Sequence, residues 1–189
     1  MGLDMFLFKA PKKIIGCKRC EPDLWNTFEE LAYWRKANCV HRWFLSNCKR
    51  AFTESSLEDS IVTESNIKNI LSDIDSILEY VKVDFKLFEK QCNETESIMN
   101  GWVISHNKQY MFPNLKNDEI DLPFYAYIDD DGLYVAEKLL PTQEGFFFGD
   151  IEYGTNYVYD IMYTRNILKH ILKFHKNDDD TFYLYHASW

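Results

Sequence analysis

Apolar and polar positions change period several times along the chain, and each change predicts an element. Residues 3–8, LDMFLF, alternate with a period of two and predict a strand, with Leu3, Met5 and Leu7 on one face and Asp4, Phe6 and Phe8 on the other. Residues 31–45, LAYWRKANCVHRWFL, fit a helical period: Leu31, Trp34, Ala37, Asn38, His41 and Leu45 fall on one side. With Asp23 as N-cap and Glu29 and Glu30 in the early turns, this predicts a helix over about residues 23–47, the central element of the chain. The polar residues 49–62 predict an exposed connection.

Thr63 opens a second helix, whose Ile67, Ile70, Leu71, Ile74, Ile77, Leu78 and Val81 keep a sustained spacing. With the cluster Val83, Phe85, Leu87 and Phe88 it predicts an antiparallel helical pair over 63–99, an excursion that reads as scaffold or as a surface for self-association. Residues 102–104 fit a short strand or, nearly as well, a helix, and 113–123 a loop. Residues 124–128 and 133–136 flank Asp129, Asp130, Asp131 and Gly132, which predicts a hairpin turn; the spacing lacks the alternating ligands of a calcium loop. Gly145 and Gly149 bracket three phenylalanines, predicting a strand buried on both faces. Residues 155–176 predict a long helix, and 181–189 a closing strand able to pair with the opening one. The fold class expected is α+β in a single domain spanning residues 1–189, a small, mainly antiparallel sheet packed on a central N-terminal helix and a long C-terminal helix.

Composition narrows the class. A chain of 189 residues, 46% hydrophobic and 16% aromatic, is too apolar to stay unfolded. No apolar run approaches the length of a membrane span, and the short apolar run at the start precedes its lysines, the reverse of a secretion signal, so a cytoplasmic protein is expected. Net charge is −9, divided unevenly: residues 1–50 hold ten Lys and Arg against five Asp and Glu, the remainder eleven against twenty-five. Such a balance argues against a nucleic-acid binder and suits either a solvated surface or a basic protein partner. Five cysteines, an odd number, point to reduced thiols. Cys17 and Cys20 form a C-x-x-C, but Cys39 and Cys48 do not supply a second knuckle, so no metal or cofactor is expected. His170 and His175, five apart on a helix, would point to different sides and not form a metal pair.

Candidate chemistry gathers where the apolar pattern is broken. Asn38 and His41 in an apolar stripe demand partners, and Arg35 and Lys36 stand beside them. A pocket for a small anionic, nucleotide-like ligand could be built from Asp4, Arg35, Asn38, His41 and Gln143, with Lys36 on a phosphate, Trp34 or Phe147 stacking, and Thr142 in a loop that Gly145 lets approach closely. If chemistry occurred there, His41 would be the base, with Asp4 or Glu29 orienting it. No catalytic set is assembled in the sequence, and the bland reading of the same residues is a buried polar network fixing a helix to a sheet.

The opening Gly2, Leu3, Asp4 and Met5, the segment YWRKAN at 33–38 with His41, Trp43 and Phe44, the block LLPTQEGFFFG at 139–149 and the closing YHASW at 185–189 together resemble an uncharacterised family of small bacteriophage and prophage proteins. Residues 49–132 do not share the likeness. Phe6 stands where the family pattern has tyrosine, and His186 where it has glutamine. The resemblance implies a phage or prophage accessory protein acting in the host cytoplasm, and implies no mechanism. Combined with the acidic surplus, it leads to the expectation of non-enzymatic binding to a host protein, counter-defence being one such role.

Overall fold

The computed structural model describes residues 2–15, 27–52, 59–84 and 125–189. Its centre is an antiparallel five-stranded sheet. In chain order the strands are β1 (Asp4–Pro11), β2 (Glu29–Arg35), β3 (Lys49–Arg50), β4 (Ser60–Val62) and, near the end of the chain, β7 (Thr181–Ser188). They are arranged β2-β1-β7-β4-β3. The expected pairing of opening and closing strands is present over eight residues, from Asp4 opposite Ser188 to Pro11 opposite Thr181. A two-stranded hairpin, β5 (Val81–Asp84) with β6 (Tyr125–Ile128), lies apart from the sheet in hydrogen bonding and rests on the last helix through Val81, Ala126, Ile128, Val158 and Met162.

Among the described residues four α-helices pack with these strands: α1 (Asn38–Asn47), α2 (Glu64–Leu78), α3 (Asp130–Leu139) and α4 (Thr155–Phe174). They cover one face of the sheet. Leu3, Met5 and Leu7 of β1 and Tyr183, Tyr185 and Ala187 of β7 point into a core shared with all four. The opposite face carries a smaller cluster of Ala10, Ile14, Ala51, Phe52, Phe182 and Leu184, so Phe182 through Leu184 are buried whichever way they point. The architecture is α+β, as the patterning predicts.

Several expectations are corrected in detail. Where the helix expected over 23–47 is described, from residue 27 on, it is instead a strand and a shorter helix, because the chain turns sharply at Lys36 and Ala37. Lys36 takes a left-handed φ of 59°, and Ala37, at φ −75° and ψ 69°, is the centre of a tight turn closed by Asn38 N–H donating to Lys36 O at 2.8 Å. Ala32 and Trp34 are therefore buried by strand alternation, opposite Leu7 and Met5, and not by a helical stripe. The segment 49–62 contributes β3 and β4, with Asp59 and Ser60 buried, where an exposed connection was expected. The three aspartates open α3 and do not turn a hairpin: Asp129 is its N-cap, accepting from Gly132 N–H at 3.0 Å. Residues 146–148 form a turn and not a strand.

The apolar stripe of α2 is core. Ile67, Ile70, Ile74 and Ile77 are wholly buried in the main cluster, and Arg165 of α4 pairs with Asp75 beside them, so the first half of the expected excursion belongs to the main body and its stripe is not a surface for self-association. Its N-terminus is closed by a capping box between Thr63 and Asn66. The expected helical pair is interrupted after Leu78, where Val81 and Val83 lie in strand β5; the Asp23 cap, Cys17, Cys20, residues 85–99 of that pair and the segments at 102–104 and 113–123 lie outside the described residues. Among the described residues no helix is long and apolar enough to cross a membrane.

Candidate functional site

The four sequence blocks that stood out converge. Leu3 N–H donates to Phe147 O at 3.0 Å, and Lys36 N–H donates to Leu3 O at 2.8 Å, tying the opening strand to both the 36–38 turn and the loop at 141–154. Asn38, 3% exposed at the first turn of α1, holds that loop from beneath. Its Nδ2 donates to Phe148 O at 3.1 Å and Asp150 O at 2.7 Å, and its Oδ1 accepts from Gln143 N–H at 3.0 Å. One amide thus satisfies three backbone groups of a segment that has no secondary structure of its own to satisfy them.

His41 is one turn further along α1 and wholly buried. Its Nδ1 shares a 2.7 Å hydrogen bond with Tyr185 Oη, and the ring meets the edges of Phe148 and Trp189. Burial lowers its pKa to about 4, so the imidazole is neutral across the physiological range. A base so deep and so weak does not suit proton abstraction from a ligand in solvent. Trp34 is likewise consumed: its indole N–H donates to Thr164 Oγ1 at 2.9 Å and its ring packs against Phe44 in the core. Asp4 accepts from Tyr33 Oη at 2.5 Å, and the carboxyl of Glu29 lies at the far end of β2, beside His175.

The remaining members sort by exposure. Arg35 and Lys36 are exposed and flank Gly2, while Lys36 also abuts Gly149. Thr142 is used by its own loop, its Oγ1 donating to Ile151 O at 3.0 Å and its N–H to Tyr153 Oη at 3.2 Å; Arg42 Nη1 donates to Thr142 O at 2.9 Å. Gln143 contributes its backbone N–H to the Asn38 clamp. Phe147 is half-buried and packs on the core, leaving it unsuited to stacking on a ligand from both sides. Of the proposed pocket, then, Asn38, His41, Thr142, Gln143 and Phe147 come together, but as the foundation of a loop.

What that foundation supports is Phe146, which the patterning placed in a buried strand and which is 96% exposed. It stands perpendicular to Phe147, ring centres 4.9 Å apart, at the tip of the clamped loop. Ile151 and Trp189 are also partly open, at 43% and 46%. The charged side chains of the loop are all carboxylates, the exposed Glu144, Asp150 and Glu152. A GFFFG string carries a signal for this, since three aromatics in a row cannot all be buried in a turn of that length.

Three further groups, on or at the end of α1 and on α4, are chemically unusual. Burial and the nearby Asp150 charge raise the carboxyl of Asp160, on the first turns of α4, to about 8. The thiol of Cys39 is pushed well above its ordinary value, by burial first and Asp160 second, and that of Cys48 to about 12 by burial. Neither thiol is an activated nucleophile. Among the described residues no group of three or more His, Cys, Asp or Glu is gathered as a metal centre. Comparison of the chain with family models, with curated proteins and with solved structures finds no match in any of the three.

Proposed function

We propose that this is a binding protein whose working part is the loop at 141–154, with Phe146 as the anchor that enters an apolar pocket on a partner protein. The observation that carries the reading is the contrast within one loop: a phenylalanine 96% exposed, on a backbone held from below by three hydrogen bonds with Asn38, two donated by its amide and one accepted from Gln143 N–H. Exposure of a large aromatic ring on a loop already immobilised lowers the ordering cost of docking, and buried aromatic anchors dominate interface energies. The loop's own charged residues, Glu144, Asp150 and Glu152, and a net charge of −9 favour a partner with basic groups, while Lys36 and Arg42 contact the loop at Gly149 and Thr142. A phage or prophage accessory role in the host cytoplasm, against a host protein, is the biological setting this reading adopts.

A nucleotide-like ligand is the weaker reading, because Asn38 and His41, which would recognise it, are buried and engaged in holding the loop. Affinity capture from host lysate with the wild-type chain and with Phe146→Ala tests the proposal. A partner retained by wild type, lost at moderate salt, and bound at least about tenfold more weakly by the variant is expected. Equal retention by both chains overturns it, provided the two have the same thermal midpoint.

A further inference from the structure

We propose that His170 and His175 form a two-imidazole site for a borderline divalent transition ion of the Cu²⁺, Ni²⁺ and Zn²⁺ class, with Glu29 fixing the orientation of His175. A spacing of five would separate them on a continuous helix. Here α4 ends at Phe174, and His175 leaves it at φ −123° and ψ 43°, which brings the two rings to 5.6 Å between centres with planes 41° apart. Nitrogen ligands lie about 2.0–2.1 Å from such ions, which puts the centres of two imidazoles sharing one ion roughly 4.5–5.5 Å apart. At 5.6 Å the two rings stand just outside that range, so both can bind once each turns a ring nitrogen toward a shared ion.

The backbone beneath the pair is fixed. His175 N–H donates to Ile171 O at 2.9 Å, and its carbonyl accepts from Tyr183 Oη, also at 2.9 Å, in the central strand. His170 is exposed on the last turns of α4 and braced by Phe174, ring centres 4.7 Å apart. Glu29 Oε1 lies 3.1 Å from His175 Nδ1. A carboxylate on one ring nitrogen holds the proton there and leaves Nε2 as the ligating lone pair, the arrangement that commonly supports metal-bound histidines. Two of the nearby cations are engaged by carboxylates, Lys169 with Asp75 and Lys9 with Asp178, while Lys173 lies over the Phe174 ring that braces His170. The carbonyl end of a helix also favours a bound cation. Imidazole ligands select these ions over Ca²⁺ and Mg²⁺.

The test is titration of the full chain with Ni²⁺ and Cu²⁺ in a Cys17→Ser/Cys20→Ser background, which removes the C-x-x-C as a competing ligand, followed through the histidine ring protons by NMR. One saturable equivalent is expected, tighter for Cu²⁺, with paramagnetic broadening strongest at the His170 and His175 rings and no change on adding Mg²⁺. His170→Ala and His175→Ala should each weaken binding at least tenfold, and Glu29→Gln by about tenfold. Saturable binding that survives the double histidine variant, or no saturation at all, overturns the site.

Discussion

Asn38 is the residue on which the loop depends. Asn38→Ala would leave two carbonyls and one N–H without their partner at a nearly closed position, where each unmet group costs on the order of 1–3 kcal/mol unless water enters. We expect urea unfolding to report a loss of about 2–4 kcal/mol, with partner capture lost in parallel. His41 and Asp160 make a pair of opposing pH effects. The folded His41 titrates at about 4 against an ordinary 6.5, so its contribution is complete above 6.5 and is lost, by about 3 kcal/mol, as pH falls toward 4. The folded Asp160 titrates at about 8 against 3.8, so its contribution is complete at low pH and is lost as pH rises toward 8. The two slopes offset between about 4 and 6.5, and above that only Asp160 acts. Unfolding measured across pH should show stability declining between 6.5 and 8, and Asp160→Asn should remove that decline while exposing the acid-side loss from His41.

The junction of β2 and α1 shows what periodicity can and cannot reveal about elements. Alternation at Ala32 and Trp34 followed by helical spacing at Val40, His41 and Phe44 sums to a pattern that a single helix fits equally well, and the turn between is made by Lys36, a residue with no turn preference. Gly149 lies against that turn at φ +88°, and a Cβ there would come within 2.9 Å of Lys36 Cβ. Gly149→Ala should therefore cost about 1–3 kcal/mol by thermal unfolding, through left-handed backbone strain and close contact together. Where one period runs uninterrupted the sequence is plain: the α2 stripe, the length of α4 and the pairing of β1 with β7 are all readable from it. The site was half legible. The blocks that meet were identifiable because Asn38 and His41 interrupt apolar surroundings, but whether a buried amide faces a ligand or a backbone depends on the course of a loop that no local pattern specifies. The Asp129 triplet was misread for a related reason, since an N-cap and a hairpin turn draw on the same residues.

For the whole molecule, charge and topology set the behaviour. On the proposed docking of Phe146, a net charge of −9 would make association with a basic partner slow as salt rises, while the apolar Phe146 contact would set how long the complex lasts. Stopped-flow measurement of both rates should place the salt effect in association and the Phe146→Ala effect in dissociation. Topology has a different reach. The middle strand of the sheet is β7, the last element of the chain, and it is what joins β1 to β4. Pairing residues 4–11 with residues 181–188 closes a loop over most of the intervening sequence before Leu3, Met5 and Leu7 gain their neighbouring strand, so refolding should be slow for a protein of this stability, as stopped-flow refolding would read out.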